Sequence, residues 1–264
     1  MNAKSPLMNV MIGAARKAAR GLLRDFGEVE QLQVSKKGPA DFVSAADLRV
    51  EKVLRTELKK ARPDYGFLLE EGGAIEGNDK SVVWIIDPLD GTTNFLHGIP
   101  HFAISIGLVR DGEPWAGVVY NPLTDELFWA EKNCGCFVND RRLRVSARRK
   151  LDESVIATGI PHIGRPEHAR FQRQLKLAME NTAGIRRFGA ASLDLAFVAA
   201  GRFDGFWEMG LSPWDIAAGI IMVREAGGYV SDIDGGHDML KSGNIVAAND
   251  HLHLPLGTML KTAG

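Results

Sequence analysis

The stretch Trp84–Phe95, WIIDPLDGTTNF, begins as a buried strand and then changes character. Trp84, Ile85 and Ile86 are apolar. Asp87 and Asp90 follow at once, flanking Pro88 and Leu89, and Gly91, Thr92 and Thr93 come next. Repulsion and desolvation both oppose two carboxylates at the end of an apolar strand. Pro88 and Gly91 predict a sharp turn there, and two acids three residues apart across a turn can converge. One of them then titrates well above the carboxylate range unless a cation neutralises the pair. Hard oxygen ligands suit magnesium, manganese or calcium. The Leu89 carbonyl, pinned between Pro88 and Asp90, is a further candidate oxygen. An Asx turn with two solvated aspartates is the competing reading of the same residues.

Other acids sit at comparable places. LLEEGG puts Glu70 and Glu71 just past the end of another apolar strand. SPWDIAAG puts Asp215 in the first turn of a helix, with Ser212 as N-cap and Pro213 at the first helical position. SAADLRVE repeats the Ser-x-x-Asp pattern with Ser44 and Asp47. A capping box accounts for either of these two aspartates, but not for the strand-tip acids. If a helix begins after Gly91, the free N–H groups of Gly91, Thr92 and Thr93 face an anion, and the Thr92 hydroxyl can orient a water. Metal next to a helix start is a way to hold a phosphoryl group for in-line attack. The chain has no P-loop, no G-x-G-x-x-G and no G-x-S-x-G, so P-loop hydrolysis, hydride transfer and serine-esterase chemistry lose support.

Composition sets the outer limits. The 264 residues are 45% hydrophobic and 25% charged, ordinary for a globular chain. A net charge of −1 offers no field for nucleic acid or an anionic membrane. No apolar run reaches the roughly 20 residues of a membrane span. The N-terminal thirty residues read as an amphipathic first helix rather than a signal peptide, and the expected setting is cytoplasmic. Cys134 and Cys136, in NCGCFVND, are too few for a zinc site and read as part of a turn and strand. His97 and His101 lack nucleophile or metal-ligand companions.

Along the chain, Ser44 to Arg62 reads as an amphipathic helix with an apolar stripe of Leu48, Val50, Val53, Leu54 and Leu58. A strand meander follows from about Ala103 to Asp140. After about Ser146, strands alternate with helices, which favours α/β layers. The expected organisation is residues 1–145, helices plus an antiparallel sheet carrying the acidic motif, and residues 146–264, an α/β lobe completing the site within one compact unit.

WIIDPLDGTTNF followed by WDIAAGIIMVREAGG resembles the two signature motifs of the inositol monophosphatase family. The likeness extends over nearly the whole chain, through KGPADFVSAAD, LLEEGG, GVVYNP, GCFVND, RRFGAASLDLAFVAAGRFDGFWEMG and NIVAAN. The resemblance implies a layered αβαβα sandwich of the sugar-phosphatase type. It also implies two to three Mg2+ ions per site, lithium sensitivity and a homodimer.

Carried over by position, the resemblance assigns the first metal to Glu70, Asp87 and the Leu89 carbonyl, and the second to Asp87, Asp90 and Asp215. Glu70 helps a third. Asp47 and Thr92 orient the attacking water, and the Gly91 and Thr92 amides meet phosphate. Asp90, Ala191, Glu208 and Asp215 contact the alcohol. Lys36 matches a basic position, and Arg187 contacts substrate or the dimer partner, with a surface salt bridge as its alternative. Ala190 stands where other members carry Thr or Ser, which removes a hydroxyl near the alcohol.

The expected activity is hydrolysis of a small phosphorylated polyol, myo-inositol 1-phosphate first. Fructose 1,6-bisphosphate, another sugar phosphate or a nucleotide 3′-phosphate are alternatives on the same site. A regulatory protein partner with vestigial or secondary catalysis is the alternative of another class.

Overall fold

The computed structural model describes residues 4–28, 34–38 and 41–263; of residues 34–38 and 41–43 only the backbone is described. The chain begins with α1 (Pro6–Gly27), capped by the Ser5 hydroxyl on the Met8 N–H. A hairpin of β1 (Val34–Gly38) and β2 (Asp41–Ser44) leads into α2 (Ala45–Ala61). Then come β3 (Tyr65–Leu69), β4 (Gly73–Ile75), β5 (Asp79–Asp90) and the short α3 (Thr92–Leu96). The meander is β6 (Ala103–Arg110), β7 (Glu113–Asn121), β8 (Glu126–Glu131), β9 (Gly135–Val138) and β10 (Arg141–Arg142). The remainder is β11 (Val155–Thr158), α4 (His168–Asn181), β12 (Gly184–Arg186), α5 (Ala191–Ala199), β13 (Gly205–Glu208), α6 (Pro213–Glu225), β14 (Tyr229–Ser231), α7 (Met239–Ser242), β15 (Ile245–Ala248) and α8 (His253–Thr262).

These elements stack in five layers. The eight-stranded sheet runs β10-β9-β8-β7-β6-β5-β3-β4 and is antiparallel except for β3 beside β5. The five-stranded sheet runs β12-β11-β13-β15-β14, with β11 parallel to both its neighbours. Helices α1 and α2 cover the outer face of the large sheet, α5 and α6 lie between the sheets, and α4 and α8 cover the small sheet. This is the αβαβα sandwich. Helices α5 and α6 are apolar nearly all round, as a layer covered on both faces must be.

Two local readings are corrected. Pro88 does not turn the chain: β5 continues to Asp90, with a bulge at Pro88–Leu89 opposite β6. Asp87 pairs with Ser105 and Asp90 with Ala103, so three steps on one strand match two on the other. In a regular strand residues three apart face opposite sides; the extra residue returns both acids to one face. Proline, lacking an N–H, is at home at such a bulge. The turn falls at Gly91, which has φ 93°, a left-handed conformation that glycine adopts without strain. The second correction concerns α2, where Leu48 is 55% exposed and leaves the stripe to Ala46, Val50, Leu54 and Leu58, with Val53 half-buried against the same core.

Helix α6 is seated by glycines. Gly107 and Gly117 are paired across β6 and β7, directly beneath Ala217 and Ala218. A Cβ on Gly117 would stand 2.7 Å from the Ala218 carbonyl oxygen and 2.8 Å from its Cα. Gly117→Ala is therefore expected to destabilise the fold by roughly 1–3 kcal/mol through overpacking against backbone that cannot yield. A denaturant midpoint equal to that of the unaltered protein would show the groove to be looser than this.

Candidate active site

Five elements converge on one cavity. The tip of β5 brings Asp87, Leu89 and Asp90, and the turn after β3 brings Glu70. Gly91 and Thr92 begin α3, Asp215 lies in the first turn of α6, and Glu208 ends β13. Glu70, Asp90, Gly91, Thr92, Arg187, Ala191, Glu208 and Asp215 line a cavity of about 190 Å3. Asp87 is buried beneath them. Of the positions expected from sequence, Lys36 lies on the β1–β2 hairpin with its side chain outside the described part.

Burial and mutual repulsion dominate the electrostatics of these acids. Asp87 is driven well above the usual carboxylate range by burial, then by Glu70, Asp90 and Asp215; a hydrogen bond with Glu70 adds to it. Burial pushes Asp215 up to about 8, with Asp90 and Glu208 contributing in the same direction. Glu208 rises to about 7 by burial and the charge of Asp90, against Arg187 and Arg165. Asp90 rises only to about 6, because burial is opposed by N–H and hydroxyl donors at the start of α5. Its Oδ2 accepts from the Ser192 N–H at 2.7 Å and the Ser192 hydroxyl at 2.5 Å. That interaction joins the tip of β5 to the start of α5 across 102 residues.

The capping and Asx readings are realised without excluding a second role. Asp87 Oδ1 accepts from the Leu89 N–H at 2.9 Å, an Asx turn, yet the side chain is 3% exposed rather than solvated. Asp215 accepts from the Ser212 N–H at 2.7 Å and still lines the cavity. Asp47 divides its oxygens. Oδ2 takes the Ser44 N–H at 2.9 Å and the Ser44 hydroxyl at 2.5 Å, while Oδ1 stands 3.4 Å from the Thr92 hydroxyl. The nearer acceptor for Thr92 is the Leu89 carbonyl, at 2.9 Å.

Among the described residues no three His, Cys, Asp or Glu side chains already stand at ligating spacing about one point. The donor set nevertheless suits a hard divalent cation: buried carboxylates raised by their neighbours' charge, plus a backbone carbonyl at the same strand tip. Glu70, Asp87, Asp90, Asp215 and the Leu89 oxygen are the groups that can hold one.

Several partners escaped sequence reasoning. Ser192 gives no local signal, its partner being so distant in the chain. Asn94 donates to the carbonyls of His101 and Phe188, both at 2.8 Å, fastening the turn to the segment that carries Arg187. Arg165 lines the cavity and donates to the Gly210 carbonyl. Arg187 also lines it and makes no carboxylate ion pair within 4.0 Å among the described residues. His97 hydrogen-bonds the Thr93 carbonyl at 2.8 Å, and His101 packs against Phe188 and Phe197, so both are structural. The two cysteines are free, Cys136 buried in β9.

An acid-lined cavity between two sheets in five layers is the architecture of a sugar-phosphatase fold. The chain matches the inositol monophosphatase family over residues 3–260 and belongs to that family. It is 60% identical, over 94% of its length and 93% of the relative's, to an inositol-1-monophosphatase of Mesorhizobium japonicum. It is 44% identical to the Nus factor SuhB of Escherichia coli, over 92% and 91% of the two chains. Its structure superposes on the extragenic suppressor protein suhB from Bartonella henselae with a TM-score of 0.95 at 58% identity, covering 97% and 99% of the chains. No described helix is long and apolar enough to cross a membrane.

The raised carboxyls make a stability prediction. An acid whose folded pKa exceeds its unfolded value binds more protons when folded, so folding stability falls as pH rises between the two values. In chelator-treated protein, Asp215→Asn keeps an oxygen for the Ser212 N–H and removes the charge. It is expected to raise unfolding stability by roughly 1–3 kcal/mol at about pH 9 and to change it little at about pH 4. Equal or lower stability at the higher pH would mean that the site carries no such strain.

Proposed function

We propose that this chain is a magnesium-dependent phosphomonoesterase acting on a small phosphorylated polyol, with myo-inositol 1-phosphate as the leading substrate. The observation that carries the reading is the run Ser44–Asp47–Thr92–Leu89 beside buried acids in one cavity. That arrangement combines a water-orienting hydroxyl with a hard-cation site.

Glu70, Asp87 and the Leu89 carbonyl would hold one ion, Asp87, Asp90 and Asp215 would hold a second, and Glu70 would also serve a weaker third. When bound, the ions neutralise the phosphoryl oxygens, lower the pKa of the attacking water and stabilise the leaving oxygen. The chain's own residues do the rest. Asp47, fixed by Ser44, accepts the Thr92 proton, and Thr92 accepts a proton from the water that attacks phosphorus. The Gly91 and Thr92 N–H groups contact the phosphate. As the new P–O bond forms, the ester P–O bond breaks and the polyol oxygen leaves, protonated by water. Asp90, Ala191, Glu208 and Asp215 face the polyol hydroxyls, with Arg187 and Lys36 as outer contacts.

The family and the 60% identical relative named as an inositol-1-monophosphatase support the substrate class. A fructose 1,6-bisphosphatase or nucleotide 3′-phosphatase would use the same phosphoryl end. The relatives named Nus factor SuhB favour a second reading, in which the protein also acts as a regulatory partner; the retained Thr92 beside the acids favours catalysis. A homodimer remains the expected assembly.

Phosphate release from inositol 1-phosphate, fructose 1,6-bisphosphate and adenosine 3′,5′-bisphosphate, with and without magnesium and lithium, tests the proposal. Magnesium-dependent, lithium-sensitive turnover greatest on inositol 1-phosphate is expected. Asp87→Asn, Asp90→Asn and Asp215→Asn should each lose on the order of 10^3-fold in kcat/KM. Near-normal turnover by any of the three would remove the metal assignment.

A further inference from the structure

The small sheet places one residue against Glu208 that none of the foregoing roles uses. β11 and β13 are parallel, with Ile156 level with Gly205, Ala157 with Phe206 and Thr158 with Trp207. One step further, Gly159 comes level with Glu208. The Thr158 hydroxyl locks this register, with the Trp207 carbonyl at 2.8 Å and its own neighbour's at 3.0 Å. Gly159 is buried, and both it and Glu208 line the cavity.

A Cβ built on Gly159 would fall inside the Glu208 carboxyl group, overlapping its carbon and both oxygens. The three nearest atoms all belong to that one side chain. The φ of Gly159 is not in the left-handed region, so the backbone itself does not require glycine there. The missing side chain is thus space occupied by a carboxylate. A flexible side-chain end can give way where backbone cannot, so adding a methyl moves the carboxylate and spares the fold.

We propose that Gly159 is a specificity-determining position: its absent side chain is the seat that holds the Glu208 carboxylate at the polyol end of the cavity. This rests on the proposed contact between Glu208 and the polyol. The three atoms nearest a Cβ on Gly159 all belong to Glu208, so Gly159 acts through that side chain. A residue larger than glycine at this position pushes the carboxylate into the cavity, where it takes up polyol space and approaches the like charge of Asp90.

The test is a double-mutant cycle read as substrate discrimination. Gly159→Ala, Glu208→Ala and the double variant are assayed with inositol 1-phosphate and with p-nitrophenyl phosphate, which has no ring hydroxyls. Gly159→Ala is expected to lower kcat/KM for inositol 1-phosphate by about tenfold or more, mainly through KM, with p-nitrophenyl phosphate hydrolysis within about twofold. Its thermal midpoint and magnesium requirement should match those of the unaltered protein. In the Glu208→Ala background the same substitution should have no further effect.

If Glu208→Ala shifts discrimination and Gly159→Ala does not, the seat is overturned and the polyol contact stands. Additive losses in the double variant overturn it as well. If Glu208→Ala leaves discrimination unchanged, the polyol contact fails and the inference fails with it. Should Gly159→Ala not fold, the thermal midpoint of Gly159→Ala/Glu208→Ala decides: rescue of folding by the second change supports the seat, and its absence overturns it.

Discussion

Negative side chains from distant segments are held together in a place where water cannot screen them, and much of the site follows from that constraint. Asp87 is surrounded by Glu70, Asp90 and Asp215, and its carboxyl is raised by burial and by all three. Such an arrangement costs folding free energy unless a proton or a cation intervenes. The fold carries the cost by distributing the acids over strand tips and helix starts, where backbone donors meet part of each charge. Asp215 has the Ser212 N–H, Asp87 the Leu89 N–H, and Asp47 both the N–H and the hydroxyl of Ser44. Asp90 has Ser192.

The Asp90–Ser192 contact does more than stabilise a charge. It fastens the tip of the large sheet to the start of a helix packed between the sheets, and it is buried. A charge-assisted pair of this kind is short and directional, so it sets the relative height of β5 and α5. Helix α6 is held to the same sheet by the close approach over Gly107 and Gly117, and to α5 by Gly219 against Leu195. With both helices fixed to the same sheet, Asp215 and Ala191 come to the cavity from opposite sides with little freedom. The turn at Gly91 is secured too: Phe95 is fully buried and packs against Phe26 and Phe102.

Much of this was legible in the sequence where the signal is local. The helices of the second half, the meander and the Ser-x-x-Asp caps all follow from periodicity and capping chemistry within a few residues. The gathering of the strand-tip acids was legible as well, because such carboxylates oppose the burial pattern around them. The bulge at Pro88–Leu89 was not, since proline and glycine so close together signal a turn as readily as a bulge. Nor was the choice between capping and a site role for Asp47 and Asp215. A carboxylate has two oxygens, and the structure gives one to the helix start while the side chain still faces the cavity or Thr92. The alternatives were never exclusive, so no local pattern could separate them.

The wall carrying Glu208 was the least legible for a topological reason. The acid-rich wall is built from β5, the turn behind it and two helix starts, each recognisable in its own short segment. The opposite wall is built from strand neighbours and loops distant in sequence: Gly159 after β11, Glu208 ending β13, Arg187 after β12 and Arg165 in the loop before α4. A glycine or an arginine in such a segment carries no sign of what it will face, because register across a sheet decides that. Among the described residues, two guanidinium groups and one acid share this wall without a carboxylate ion pair within 4.0 Å, and Glu208 is raised despite both arginines. The wall assembled from distant strands and loops is therefore the part of the cavity that the sequence conceals, and the acid-bearing wall is the part that a dozen consecutive residues already declare.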